Sequence, residues 1–362
     1  MMIKNFWKKK KVLVTGHTGF KGSWMILMLS KLGADIYGYA LDPISNPNFF
    51  DGLGLSKFLK KDFRGNIKDI KKLKKVMRET KPDIVFHLAA QSSVLVSYKD
   101  SIETISTNIV GTANILEVSR SIKNLRSLII VTTDKVYENL EKKIRFKENS
   151  PLGGHDLYSA SKACCEILTN SYSKSFYDRK KRCNIATVRS GNCIGGGDWT
   201  KDRIVKDCAE SFYKNKNLFI RMPNATRPWQ HVIEPVYGYI LLAEKLFKDK
   251  KNKFSGAWNF APNLKNNLKV KVLATLGKNF FDSKSQIITS KKKHYESTNL
   301  SLSSEKARSK LKWQNIYNAK ESLNLTFSWY KFFYDNKSNT KVIDFTFNQI
   351  EEYFNKIKIR IK

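Results

Sequence analysis

The order of apolar and polar positions divides the first half of the chain into short strands alternating with longer helices. Lys11-Val12-Leu13-Val14-Thr15 is a β-branched run of strand length, and Gly16 and Gly19 end it at once. Over 23–32 the apolar residues Trp24, Ile26, Leu27 and Leu29 recur at helical spacing, and Gly33 supplies a stop. The same reading predicts strands over 36–41, 84–90, 128–132 and 185–189, helices over 68–80 and 107–121, and a further helix carrying Tyr158 and Lys162. Strand and helix in turn predict a doubly wound parallel α/β sheet. The later part keeps amphipathic helices, for example over 319–333, within a lysine-rich background.

Composition narrows the class. A chain of 362 residues can bury a large core, in one domain or two closely joined. Its five cysteines have no CxxC spacing, and only Cys164 and Cys165 are adjacent, so neither a disulfide framework nor a metal site is expected. The basic start, MMIKNFWKKKK, is followed by a glycine-broken strand instead of an apolar signal segment, and no apolar run is long enough to cross a bilayer. A soluble, reduced, cytoplasmic protein is the expectation. The formal net charge of +34, from 66 basic against 32 acidic residues, raises nucleic acid as a partner. The lysines are spread through every segment and no nucleic-acid-binding motif accompanies them, so a solvated lysine surface is the simpler reading, and neither nucleic acid nor membrane is expected as a partner.

Five stretches carry candidate chemistry. Gly16-x-x-Gly19-x-x-Gly22 lies between a strand and a helix, where glycines allow a tight turn and the helix N-terminus faces a pyrophosphate. Asp42, at the end of the second strand, is spaced to accept hydrogen bonds from a ribose, which favours NAD over NADP; Asp42-Pro43 is equally a turn signal. Thr133, Asp134 and Lys135 follow the fourth apolar strand, and ligands in open parallel sheets sit at such carboxyl ends. Tyr158 and Lys162, four residues apart, share a helix face, and an ammonium beside a phenol favours the phenolate needed for proton removal. His87, inside an apolar strand, reads as a packed histidine. Beyond the glycine-rich 190–199, Asn192, Arg203, Arg221, Arg227, Trp229 and His231 suit a substrate with a diphosphate and a ring, although a tryptophan such as Trp229 is more often core.

GHTGFKGSW (16–24), TTDKVYEN (132–139), GGHDLYSASKA (153–163), RSGNCIGGGDW (189–199) and ATRPWQHVIEP (225–235) together resemble the extended short-chain dehydrogenase/reductase family, and within it the CDP-glucose 4,6-dehydratase branch. The resemblance covers almost the whole chain and is most specific in GGGDW and RPWQHV. It implies an NAD-binding Rossmann domain over 1–190, with a return segment at about 230–262, and a smaller C-terminal nucleotide-sugar-binding α/β domain from 191–229 and 263–362. It also implies a homodimer or higher homo-oligomer that takes CDP-glucose as substrate.

The implied chemistry starts with Tyr158, helped by Lys162 and Thr133, taking the proton from the carbon-4 hydroxyl while NAD takes the hydride. Water leaves across carbons 5 and 6, and the hydride returns to carbon 6. Asp134 matches the acid for the leaving hydroxyl. Lys135 stands where related dehydratases have a glutamate base for carbon 5, so either that base or a cation for the enolate is implied at this position. Gly16, His17, Gly19, Phe20, Gly22, Asp42, Leu88, Ala89, Ala90 and Asn108, with Tyr158 and Lys162, are the implied cofactor contacts. Gln91, Ser92, Asn192, Arg203, Arg221, Arg227, Trp229, His231 and His294 are the implied substrate contacts; no metal is implied. Leu157, Ser190, Cys193 and Met222 depart from the residues common in the branch. Other readings are a dehydratase or epimerase for another nucleotide sugar, an NAD-binding sensor without catalysis, and a nucleic-acid-binding protein resting on charge alone.

Overall fold

The computed structural model describes residues 2–140, 144–177, 183–263, 267–289, 300–336 and 338–361. Seven parallel strands form the central sheet: β1 (Lys11–Thr15), β2 (Asp35–Ala40), β3 (Lys61–Arg64), β4 (Ile84–His87), β5 (Ser127–Val131), β6 (Asn184–Ser190) and β11 (Gly256–Phe260). Their spatial order is 11-6-5-4-1-2-3, so the chain reverses direction between β1 and β4 and opens a crevice at their carboxyl ends. This is the doubly wound arrangement that the alternation predicts. Among the described residues three strand pairs lie outside it, β7 (Cys193–Ile194) with β10 (Gln230–His231), β8 (Leu218–Ile220) with β13 (Ile287–Thr289), and β9 (Thr226–Pro228) with β12 (Asn267–Lys269).

Both faces of the sheet are covered. On β1, Val12 and Val14 join the larger apolar core while Leu13 joins a second one, as the two-residue period of a strand requires. The helices are α1 (Met2–Trp7), α2 (Phe20–Leu32), α3 (Ile70–Thr80), α4 (Val94–Lys99), α5 (Ser101–Ile105), α6 (Gly111–Ser119), α7 (Leu157–Tyr172), α8 (Ile204–Tyr213), α9 (Ile233–Lys248), α10 (Val270–Phe280), α11 (Ala319–Asp335) and α12 (Asn339–Ile361). α2 ends on Gly33 in a left-handed conformation, α3 begins on the Asp69 cap, and α11 begins on an Asn318–Glu321 capping box. No helix among the described residues is long and apolar enough to cross a membrane.

Two predicted elements differ in form. The run over 84–90 is strand only as far as His87, because the chain must turn over the crevice from Leu88. The helix predicted over 107–121 is broken by a π turn at Ser106–Val110, which Asn108 uses: its amide donates to Gln91 O at 3.0 Å and to Ser161 Oγ at 2.9 Å and accepts from Gln91 N at 2.9 Å.

Candidate active site

A cleft of about 1120 Å³ runs from the turn after β1 across the carboxyl ends of β4, β5 and β6 into the segments beyond β6. Its floor begins at Gly16, whose φ of +71° and close approach to Ala89 N, where a Cβ would stand only 2.6 Å away, admit glycine alone. Gly22 lets α2 press onto that turn, since a Cβ there would meet Gly16 O at 2.3 Å. α2 starts on Gly19 with no side-chain cap and no acidic residue in its first turn. Its first N–H groups therefore face the cleft without a side-chain acceptor, which fits the pyrophosphate of a dinucleotide. Asp42 lies further along the same wall, its side chain 85% exposed. This cradle fits NAD.

At the other end, Tyr158 stands in the first turn of α7, which Asp156 caps through Ser159 N at 2.9 Å. Burial pushes the Tyr158 phenol above its ordinary value, while a hydrogen bond with Thr133 and the charge of Lys21 pull it down. One turn later, Lys162 donates to Val131 O at 3.0 Å. Burial lowers its pKa, and the nearby Lys21 adds to that. Thr133 donates to Asp134 Oδ1 at 3.0 Å, and Gly191 lies against Asp134 closely enough that a Cβ would come within 3.2 Å of Oδ2. Lys135 follows on the same wall. Behind them, the buried pair Arg189–Glu166 braces β5, β6 and α7: Glu166 accepts from Arg189 Nε at 2.8 Å, from Thr132 at 2.5 Å and from Thr187.

Most residues singled out from the sequence line this one cleft, namely Gly16, Gly19, Phe20, Gly22, Asp42, Leu88, Ala89, Ala90, Ser92, Thr133, Asp134, Lys135, Tyr158, Lys162, Asn192, Arg203, Arg221, Arg227 and Trp229. Arg203 pairs with Asp198 at 3.6 Å and Arg221 with Asp202 at 3.4 Å. Trp229 is almost fully buried and donates to Leu268 O at 3.1 Å, so it serves the core and shows only an edge to the cleft.

Four residues expected to contact ligands are not on the lining. His17 is buried, with its ring bonded to Asp62 at 2.9 Å and set edge-on to Phe50. His231 is buried edge-on against Trp24, burial pulling its pKa down to about 3. Asn108 and Gln91 spend their side chains on each other's neighbourhood, Gln91 donating to Thr104 at 2.8 Å. His294 lies outside the described residues. His87 is packed, as its strand predicts, bonded to Thr15 at 2.8 Å.

Two features, one on the lining and one beside it, escaped sequence reasoning. Lys21, one of the variable positions inside the glycine motif, reaches Ser190 Oγ at 2.9 Å. Arg64, at the end of β3, joins three carboxylates, bonding Asp42 at 3.1 Å, Asp51 at 3.2 Å and Asp62 at 2.9 Å. Partial burial works against the Asp62 carboxylate, but the bonds from His17 and Arg64 outweigh it and hold its pKa below the ordinary value.

A family model described as GDP-mannose 4,6 dehydratase matches residues 13–326. The chain is 40% identical over 336 residues to CDP-glucose 4,6-dehydratase of Salmonella typhimurium, covering 91% of this chain and 93% of that protein. It is 30% identical over 249 residues to dTDP-D-glucose 4,6-dehydratase of Dictyostelium discoideum, covering 65% and 56%. Among solved structures, dTDP-glucose 4,6-dehydratase of Bacillus anthracis in complex with NAD superposes with a TM-score of 0.75 at 21% identity, over 89% of this chain and 96% of that one. UDP-glucose 4-epimerase of Thermotoga maritima with UDP-glucose superposes at 0.78 and 20% identity, over 89% and 99%. These two structural likenesses speak for the fold.

Proposed function

The chain belongs to the GDP-mannose 4,6 dehydratase family, and we propose that it converts CDP-D-glucose to CDP-4-dehydro-6-deoxy-D-glucose with loss of water. It is an NAD-dependent nucleotide-sugar 4,6-dehydratase. The observation that carries this reading is the 40% identity, sustained over nine-tenths of both chains, to a CDP-glucose 4,6-dehydratase. The gathering of Thr133, Asp134, Lys135, Tyr158 and Lys162 on one cleft supports it.

NAD, when bound, supplies a hydride acceptor and later a hydride donor for the sugar. The glycine turn and the first N–H groups of α2 would hold its pyrophosphate, and Asp42 its adenosine ribose. Arg64 is already shared by three carboxylates, which leaves no unspent positive charge there for a 2′-phosphate. Tyr158, as phenolate, removes the proton of the carbon-4 hydroxyl, and Thr133 and the cations around it lower the cost of that state. Asp134, buried and bonded by Thr133, gives a proton to the departing carbon-6 hydroxyl. Lys135, the next residue, is assigned to carbon 5, where an amine has two workable roles: proton acceptor, or cation facing the enolate. Ser92, Asn192, Arg203, Arg221, Arg227 and the exposed edge of Trp229 form the wall that would receive the nucleotide and its diphosphate.

We assign 1–190 with 230–262 to the cofactor and 191–229 with 263–362 to the nucleotide sugar; the return of β11 to the main sheet supports that division. The exposed Val96, Tyr98, Ile102, Val110 and Ile167, all on or between α4 and α7, support a homodimer paired through these helices. Five free cysteines and a nucleotide-activated substrate support a cytoplasmic enzyme feeding deoxysugars to cell-surface polysaccharide.

The test is a product assay with NAD and CDP-, dTDP-, GDP- and UDP-linked hexoses in parallel, read by mass spectrometry in deuterated water. Loss of water from CDP-glucose alone, with deuterium at carbon 5, is the expected result. Water loss from another sugar nucleotide would keep the reaction and change the substrate. No turnover of any of them would remove the reading.

A further inference from the structure

Lys21 is an unusual lysine. It sits in the first turn of α2, where the helix dipole disfavours a cation. Its side chain does not extend into water but crosses the cleft floor from the glycine turn to the end of β6. There Nζ donates to Ser190 Oγ at 2.9 Å, and Ser190 Oγ also receives the Tyr239 hydroxyl at 2.8 Å. Cys193 Sγ is 3.6 Å from the same oxygen and is itself hydrogen-bonded to Lys21. Among the described residues Lys21 has no carboxylate partner. An ammonium drawn off the surface onto neutral groups is costly unless it serves a group that becomes negative.

The groups facing Tyr158 say which one. On its own helix is Lys162, whose ammonium is held by Val131 O. From the segment after β5 come Thr133 and Asp134, from α2 comes Lys21, and from the start of α8 comes Arg203. Thr133 is hydrogen-bonded to the phenol, and the charge of Asp134 works against the phenolate. Of the cations acting on the phenol, Lys21 has the larger effect; it is tethered to Ser190 and lines the cleft with Tyr158. Tyr239, the other phenol near Lys21, is fully buried on α9 and donates its own proton to Ser190, so it has no part in substrate chemistry.

We propose that Lys21 is a positioning residue for Tyr158: tethered by Ser190, its ammonium favours the phenolate from the glycine-turn side while Lys162 does so from the helix side. The inference rests on the reading of Tyr158 as the base of the dehydratase. It also gives Ser190 and Cys193 a shared role in orienting the Lys21 ammonium.

The test uses NAD-loaded enzyme and the variants Lys21→Met, Lys21→Arg and Ser190→Ala. The acid limb of kcat against pH is followed with CDP-glucose. Tyr158 itself is titrated by phenolate absorbance, as the difference between each protein and the same protein carrying Tyr158→Phe. Lys21→Met is expected to move both the limb and the phenolate titration up by about one to two pH units, as loss of a cation close to a phenol should. Neutral-pH kcat falls about 10- to 100-fold with it, while KM and NAD affinity stay within about twofold. Lys21→Arg restores the limb, and Ser190→Ala moves it in the same direction by less. A phenolate titration that does not move in Lys21→Met overturns the proposal. So does a tenfold loss of NAD affinity with the limb in place, which would give Lys21 to the cofactor. Should Lys21→Met not fold, an unmoved limb in Ser190→Ala has the same force. The optical titration needs no substrate, so failure of the wild-type enzyme to act on CDP-glucose counts against the function and leaves this test readable.

Discussion

The two ends of the cleft are built on opposite electrostatic plans. At the Asp42 end, one guanidinium serves three carboxylates, and Asp42 and Asp51 remain largely exposed. At the Tyr158 end, the Lys21 ammonium acts on one phenol that is nearly closed off from water, and Lys162 follows one turn along the same helix. The chemistry of the difference lies in the solvent. Charges at the open end are screened by water, so their arrangement serves to select a ligand. At the closed end the same kind of charge acts at low dielectric and changes what a side chain can do. Recognition belongs to the first plan and reactivity to the second.

The comparison can be broken most sharply at Tyr158. Tyr158→Phe is expected to reduce kcat by about a thousandfold or more while CDP-glucose still binds, seen by single-turnover kinetics and calorimetry; turnover near wild type would end the assigned role. Next comes Lys135→Met, expected to slow turnover about a hundredfold. Wash-in of solvent deuterium at carbon 5 that falls with it makes Lys135 the proton carrier. Exchange at the wild-type rate takes that proton away from Lys135 and leaves the enolate role.

Stability against pH sharpens the contrast from the buried side. Burial pulls the pKa of His87 and His231 down from 6.5 to about 3, with Lys162 adding to the effect on His87. Unfolding lets each bind a proton, so their contribution is complete above pH 6.5 and is lost as pH falls from there towards 3. Buried Glu234 has the opposite sign: its pKa is raised from 4.5 to about 7, so its contribution is complete below 4.5 and is lost as pH rises through 7. Between pH 6.5 and 4.5 two histidines therefore oppose one glutamate, and urea unfolding should show stability falling by about 1.4 kcal/mol per pH unit. His231→Gln should flatten that interval. A wild-type curve already flat there would contradict the buried plan.

The smallest effect is expected at the open end. Asp42→Ala should weaken NAD binding by about three- to tenfold, the scale of one or two hydrogen bonds, with little change in kcat. Unchanged affinity would remove Asp42 from the ribose.

What could be read in the chain follows the range of the forces involved. β1, the glycine turn and α2 are local, since a strand period, three glycines and a helical stripe specify them, and they fold as read. The cluster of Thr133, Asp134, Lys135, Tyr158 and Lys162 was legible because strand ends and an i, i+4 pair imply proximity. Arg64 was not: Asp62 lies on its own strand, but Asp42 and Asp51 come from the segment after β2, which the parallel pairing of β2 with β3 brings beside it. Lys21 was hidden for a different reason. Its identity looks free inside the motif, and its meaning depends on Ser190, 169 positions away. His17 and His231 show the converse: polar residues inside functional-looking motifs whose side chains the fold turns into packing against Phe50 and Trp24.

The place of β11 has a consequence for the order of events during synthesis. β6 ends at Ser190, yet its outer neighbour begins only at Gly256. A ribosome emits residues one after another, so for the time needed to make the intervening stretch the nascent sheet carries an open parallel edge. That interval is the window in which a chaperone has something to bind and a stalled chain has something to aggregate through. The reactive residues, which follow β5 and lie on α7, are already synthesised while that edge is still open.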